Sequence, residues 1–418
     1  MKKSLIALAI GATAGSAFAQ ASVELYGRAH AGLDRWSAEG ARDANRDLKA
    51  RTRVFDSGSR VGLRGNENLG GGVQASFVVE TGINLDNASD AGQGGLANSG
   101  TGYFGSREAH VALGNASAQV RFGRQNVYWG NGSVEDVGAN HMVFGGIGMY
   151  TAASSGYVTA PVARLENTTK VVLNKGLAGN FAGSEIYYGI LNANERASYN
   201  ASPMGTAMGA TLRYASGPLG VQLDYAKVSN SAGTSDTTNR NNTGLKIAAG
   251  YQVLKTTKIQ AAFFEMKREF TDPTTNTAQL GINTDTAKAA VAASTNPVTN
   301  AVAATNQPAG GGKQGGFGLG VIHSLGGPLS VYGQWAKLGD FKHVTRGSQA
   351  DTNSDSYAVG LRYNFSNRTH VYTSYSVINN AKNNNVTMSG GGMSSAASTG
   401  TPMGADTKVM SLGLFHNF

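Results

Sequence analysis

Ser356-Tyr357-Ala358-Val359-Gly360-Leu361-Arg362-Tyr363-Asn364-Phe365 is the stretch on which the fold turns. Successive side chains of an extended chain point to opposite sides, so Tyr357, Val359, Leu361, Tyr363 and Phe365 share one face. Ser356, Ala358, Gly360, Arg362 and Asn364 share the other. An apolar face with aromatics at its ends and aliphatics between them suits a strand that crosses hydrocarbon and both of its interfaces.

The same period of two recurs along the chain. Val221, Leu223 and Tyr225 alternate with Gln222 and Asp224, and Leu245, Ile247, Ala249, Tyr251 and Val253 with Lys246, Ala248, Gly250 and Gln252. Val371, Thr373, Tyr375 and Val377 repeat the pattern. Very short connections, Asn68-Leu69-Gly70-Gly71-Gly72, Gly217-Pro218-Leu219-Gly220 and Gly326-Gly327-Pro328, alternate with long polar ones expected at about 34–53, 84–104, 125–166, 229–243, 270–314 and 380–405. Tight turns at one end and long loops at the other are the habit of an up-and-down membrane barrel. Lipid offers no hydrogen-bond partner to a backbone, so such strands survive only in a sheet that closes on itself. The expectation is an all-β transmembrane antiparallel barrel of about 16 strands.

The ends fit that environment. Met1-Lys2-Lys3-Ser4, an apolar run from Leu5 to Ala14 and the sequence Ala17-Phe18-Ala19 read as a secretory signal over residues 1–19, leaving 20–418 as the barrel. Cysteine is absent, so neither disulfides nor thiolate metal sites contribute. Past the leader, nothing reaches the roughly 18 apolar residues of a membrane helix. With 35 basic against 26 acidic residues the chain is +9, and +7 after the loss of Lys2 and Lys3. Such an excess fits nucleic acid, lipid headgroups or an anion conduit, and export argues against nucleic acid. The 58 glycines follow no collagen period and prolines number only 8, so glycine here punctuates strands. The stretch 270–314, rich in Thr, Asn and Ala, reads as a long outer loop.

Several stretches resemble the general porins of Gram-negative bacteria, in particular the beta-proteobacterial trimeric type. Val23-Glu24-Leu25-Tyr26-Gly27 is similar to that family's first strand, the run Ser59 to Gly72 to its second strand and turn, and Phe122-Gly123-Arg124-Gln125 to the end of its fifth. Leu412-Gly413-Leu414-Phe415-His416-Asn417-Phe418 ends on the aromatic carboxyl terminus that such porins use for assembly, which gives Phe418 that role by resemblance. The resemblance implies a sixteen-stranded homotrimer in the outer membrane whose third loop, about 125–166, folds inward as a constriction. One departure is Arg28-Ala29-His30, where the family commonly has an acid, so that Arg28 and His30 make the first strand's lumen face more basic. Another is Val134-Glu135-Asp136-Val137, which stands where an acidic aromatic motif is expected in the third loop.

A pore selects ions by the charges at its narrowest level. Arg60 and Arg64 alternate with Val61 and Leu63 and point inward if Val61 and Leu63 meet lipid. By resemblance Arg60, Arg107 and Arg164 form the basic constriction cluster, with Arg64 and Arg124 secondary. For Arg107 two arguments conflict: alternation groups it with Ala109, Val111 and Leu113, while the resemblance puts it in the channel, and the resemblance is preferred. Glu135 and Asp136 would face the arginines from the third loop, and Glu80 would neutralise part of the basic wall. Each of these charges, taken singly, is as well explained as an ordinary solvated lumen residue.

Arg42, Arg46, Lys49, Arg51 and Arg53, mixed with Glu39, Asp43 and Asp47, read as a wet loop surface rather than a lipopolysaccharide site. The seven histidines are too scattered for a metal motif, and no cofactor is expected. Nucleophile-elbow, phosphate-loop and dinucleotide motifs are absent, so the expectation is a channel and not an enzyme. It would pass small hydrophilic solutes and ions by diffusion, preferring anions, with outer-membrane lipid and lipopolysaccharide around it. The rivals are a substrate-selective channel of the same fold and an outer-membrane barrel enzyme or adhesin.

Overall fold

In the computed structural model the described residues are 22–86, 104–127, 164–174, 179–190, 206–230, 240–270, 311–344, 347–386 and 401–418. The expected leader lies outside them. They form one antiparallel sheet. We number its barrel strands β1 (Ser22–Glu39), β2 (Leu48–Asp56 continued by Arg60–Gly70), β3 (Val73–Gly82), β4 (Glu108–Gly114), β5 (Ala118–Asn126), β6 (Arg164–Leu173), β7 (Glu185–Ile190) and β8 (Thr206–Ser216). The others are β9 (Leu219–Asn230), β10 (Arg240–Leu254), β11 (Thr257–Phe270), β12 (Gly312–Gly326), β13 (Leu329–Leu338), β14 (Ser354–Asn364), β15 (Thr369–Asn380) and β16 (Asp406–Asn417). The two segments of β2 count as one strand because both pair with β1, the first along Ala31–Ala38 and the second along Ser22–Arg28.

Each strand pairs with its sequence neighbours, and β16 pairs with β1 from Arg28↔Asn417 to Glu39↔Asp406, which closes the barrel. Closure leaves every spanning strand with two partners, as hydrocarbon requires. The sequence-stated outer face stands out: Val359 is 54% and Leu361 44% exposed, while Ser356 and Ala358 are fully covered.

The break in β2 has a local cause. Asp56 Oδ1 accepts the N–H groups of Gly58 at 3.0 Å and Ser59 at 3.2 Å, a side-chain-made turn. Gly58 takes φ +73°, where a Cβ is strained. His30 on β1 stitches the gap, receiving a hydrogen bond from Ser57 N–H on its carbonyl at 2.9 Å and donating its own N–H to Ser59 Oγ at 2.9 Å.

The expected loop at 34–53 is corrected: β1 runs on to Glu39 and β2 begins at Leu48. Its charges suggested an exposed loop, but they sit on strands. Asp34 and Arg53 face each other across β1 and β2 in a two-point ion pair, with bonds of 3.0 and 3.3 Å, and the Arg53 guanidinium lies 5.3 Å from the Trp36 ring. The connection 339–353, which the alternation did not single out as long, carries a two-rung hairpin, Lys342–His343 with Gly347–Ser348.

The inward face is not uniformly polar. Toward the long-loop end, Trp36, Phe264, Met266, Leu338, Ile378 and Val409 form an apolar cluster, and Phe341 and Val386 from two loops pack on it. Those loops are latched together: Asn384 Nδ2 donates to Thr352 O at 2.7 Å, and Asn380 Nδ2 to Val386 O at 3.0 Å and Ala405 O at 2.8 Å. This packing covers part of the inner wall toward the loop end.

Candidate functional site

Strand pairing assembles the site from residues far apart in sequence. Arg28 on β1 is directly opposite Arg60 on β2, Gly62 opposite Glu80 on β3, and Glu80 opposite Glu108 on β4. Arg60 Nε lies 3.1 Å from Glu80 Oε2 and Arg107 Nε 2.8 Å from Glu80 Oε1, so one buried carboxylate holds two guanidinium groups. The Tyr26 hydroxyl donates to the same carboxylate at 3.2 Å. Charge-assisted bonds of this kind fix side-chain position as well as charge.

Arg164 joins through the last residue of β5. Its Nε donates to Asn126 Oδ1 at 3.0 Å, and Asn126 Nδ2 donates to Glu108. Lys170 donates to the Asn126 carbonyl at 2.7 Å and pairs with Glu185 on β7 at 3.0 Å. Two contact groups, Arg60 and Arg107 on Glu80 and Arg164 with Glu108 and Lys170 on Asn126, thus adjoin where Glu80 and Glu108 are opposite each other on β3 and β4, with Arg28 opposite Arg60. Among the described residues four guanidinium groups, Arg28, Arg60, Arg107 and Arg164, meet two carboxylates, Glu80 and Glu108, which leaves this group of side chains positive.

The conflict over Arg107 has a simple resolution. Arg107 precedes β4, and its N–H donates to the Glu80 carbonyl at 2.9 Å, so the alternation that governs Ala109, Val111 and Leu113 has not yet begun. The Arg28 guanidinium lies over Phe415, 4.7 Å from the ring centre, and His370 stacks on that ring at 4.4 Å. A ring under a guanidinium holds it in place without neutralising it.

Other expected residues take different places. Arg64 is two-point paired with Glu24 at 2.8 and 2.9 Å near the short-turn end, and Arg124 is paired with Glu166. Each has its own acid. His30 is on the inward side but fully buried among Phe55, Tyr372 and Phe415, with Nδ1 3.0 Å from Ser57 O and Nε2 2.9 Å from the Tyr372 hydroxyl. The expectation that it presents an imidazole to the lumen is therefore corrected: a two-residue period gives the side of the sheet but not what covers it. Glu135 and Asp136 lie outside the described residues. Among the described residues no group of three or more His, Asp or Glu is placed to hold a metal ion.

Sequence reasoning missed Tyr26, Glu108 and Asn126, and it missed the buried pair Asp224–Lys246. Lys246 Nζ is 3.3 Å from Asp224 Oδ2, and Asp224 also accepts from Thr211 Oγ1 at 2.6 Å and Gln222 Nε2 at 2.8 Å. The signal was present, since both are polar positions between apolar neighbours on adjacent strands. Only the register Asp224↔Lys246 makes them partners.

A closed barrel with an apolar exterior, tight turns at one end and a charged inner wall defines a transmembrane channel. Its family model is that of the Gram-negative porins, which matches residues 4–383, and the chain belongs to that family. It is 29% identical to an outer membrane porin protein of Bordetella pertussis over 89% of this chain and 93% of that one. To outer membrane porin protein 32 of Delftia acidovorans it is 27% identical over 84% and 93%. The structure resembles an anion-selective porin from Comamonas acidovorans, TM-score 0.62, covering 96% of this chain and all of that one; at 19% identity this likeness concerns the fold. The chain is thus an outer-membrane channel of a Gram-negative bacterium and not an enzyme.

Proposed function

We propose that the channel passes small hydrophilic solutes by diffusion with a preference for anions, and that Arg28, Arg60, Arg107 and Arg164 form its basic filter. The observation that carries this reading is the sharing of the single Glu80 carboxylate by Arg60 and Arg107. Two fixed cations on one fixed anion leave a positive charge that a passing anion relieves, and a constriction is where such a charge is least screened. The anion-selective name of the Comamonas structure points the same way. A homotrimer, with lipopolysaccharide around it, completes the reading and follows the resemblance to trimeric porins.

Planar-bilayer recording under a salt gradient tests it. The wild-type reversal potential is expected on the anion side. Arg60→Gln with Arg164→Gln should move it toward zero without abolishing the conductance steps. A cation-side reversal for the wild type would overturn the filter, and saturable block by one solute would favour a substrate-selective channel instead.

A further inference from the structure

Aromatic rings carry arginines in this barrel in two ways. Arg53 lies over Trp36 at 5.3 Å and Arg64 over Tyr26 at 5.0 Å, and each also holds a carboxylate, Asp34 for the first and Glu24 for the second. Arg28 over Phe415 at 4.7 Å and Arg362 over Tyr332 at 5.0 Å hold none among the described residues. The Nε atom of each is buried without a hydrogen-bond partner. In the first pair ring and acid together satisfy the cation. In the second the ring holds the guanidinium in place and its charge stays unbalanced.

Arg28 belongs to the filter, but Arg362 stands beyond the β1–β16 seam. Its flanking residues Leu361 and Tyr363 are 44% and 43% exposed on the outer face, so Arg362 points to the inner wall. β14 and β15 join in a tight turn, where Phe365 N–H donates to the Thr369 carbonyl at 2.9 Å, which puts Arg362 toward the short-turn end. Arg362 is directly opposite Ser330 on β13 and Tyr372 on β15. His370, the next inward residue of β15, is opposite Phe415 on β16, so the stacked His370–Phe415 pair lies between Arg362 and Arg28.

The geometry of the donor selects the ligand. A guanidinium offers a fork of N–H groups that two oxygens of a carboxylate or a phosphate match, and a halide gives it a single contact point. A cation that already has an acid gains little from a second anion. Arg362 has none among the described residues, and the ring of Tyr332 limits the positions it can take, so less order is lost when an oxyanion binds.

We propose that Arg362, held over Tyr332, is a binding site for oxyanions, carboxylate or phosphate, on the short-turn side of the inner wall and outside the filter. This rests on the anion-channel reading and deepens it: a solute bearing either group is retained at Arg362, and chloride is not.

Single-channel recording on the full mature chain in planar bilayers tests the site, with potassium acetate and potassium phosphate as probes against potassium chloride. Wild-type conductance should saturate with acetate and phosphate and rise in proportion to concentration with chloride. Arg362→Gln should raise the half-saturating oxyanion concentration roughly tenfold, the scale of a lost charge-assisted bond. Arg362→Lys keeps the charge without the fork and should recover only part of that loss. Tyr332→Leu removes the ring beneath the guanidinium and should raise the value by less than Arg362→Gln does. Saturation with one of the two oxyanions alone supports the site and assigns its class. Proportional conductance with both in the wild type, equal saturation with chloride, or an unchanged half-saturation in Arg362→Gln would overturn it. Should the Gln variant not fold, Arg362→Lys must still weaken saturation for the site to stand. The reversal potential in a chloride gradient reads the filter separately: a cation-side value for the wild type counts against the anion-channel reading, and an anion-side value with unsaturated oxyanion current counts against Arg362 alone.

Discussion

Gly27 and Phe418 exchange two backbone hydrogen bonds, N–H of each to the carbonyl of the other, both at 3.1 Å. They form the last rung of the β1–β16 seam. A Cβ on Gly27 would come within 2.2 Å of the Phe418 ring and 2.7 Å of the Arg60 carbonyl, so this glycine is required by close approach. Deletion of Phe418 removes both bonds, worth about 1 kcal/mol each, together with the ring that covers Gly27. The expected outcome is a lower yield of folded barrel and a lower temperature of conversion from the compact to the unfolded band in gel electrophoresis. Gly27→Val should be at least as damaging, and a variant folding as well as wild type would show that the seam does not depend on this rung.

Among the described residues Glu80 is the carboxylate that pairs with both Arg60 and Arg107. Glu80→Gln keeps the shape and removes the charge, so two guanidinium groups lose their partner at a cost of roughly 1–3 kcal/mol. Channel behaviour should move opposite to that of the arginine variants, with the reversal potential further toward the anion side. Thermal unfolding and bilayer recording on one preparation separate the two effects.

Gly58 holds the left-handed turn that interrupts β2, and Asp56 caps it. Gly58→Ala should cost about 1 kcal/mol from backbone strain. Asp56→Ala should have a similar effect through loss of the turn bonds, and the double variant should cost less than the sum because both act on the same turn. Denaturant unfolding in detergent, followed by tryptophan fluorescence, measures all three.

The Asp224–Lys246 pair is fully covered on the inner wall. Lys246→Met alone leaves a buried carboxylate without its cation and should destabilise by about 3–5 kcal/mol. Asp224→Leu with Lys246→Met should recover most of that loss, since no charge is then stranded. Failure of the double variant to recover would mean that Thr211 and Gln222, which also bond Asp224, depend on the charge for their own order.

The fold was legible in the sequence because its signal is local. A period of two within ten residues tells which side of a strand meets lipid, and that is enough to set Val359 and Leu361 outward and Ser356 and Ala358 inward. It also makes closure obligatory, because lipid-exposed edges have no partners. Charge misled at 34–53, where Asp34 and Arg53 satisfy each other across two strands although each alone suggests a loop.

The site was legible only in part. Arg60 announced its side, but nothing local tells that Glu80 would lie between it and Arg107, or that Asn126 would tie Arg164 to Glu108. Those meetings depend on register, on the break at Gly58 and on where β4 begins. Sequence by itself determined the sheet, its two faces and its excess of positive charge, since each is a property of neighbouring residues. Tertiary structure decided which charges neutralise one another and which stay unbalanced, because pairing across strands joins residues whose separation along the chain carries no trace of it.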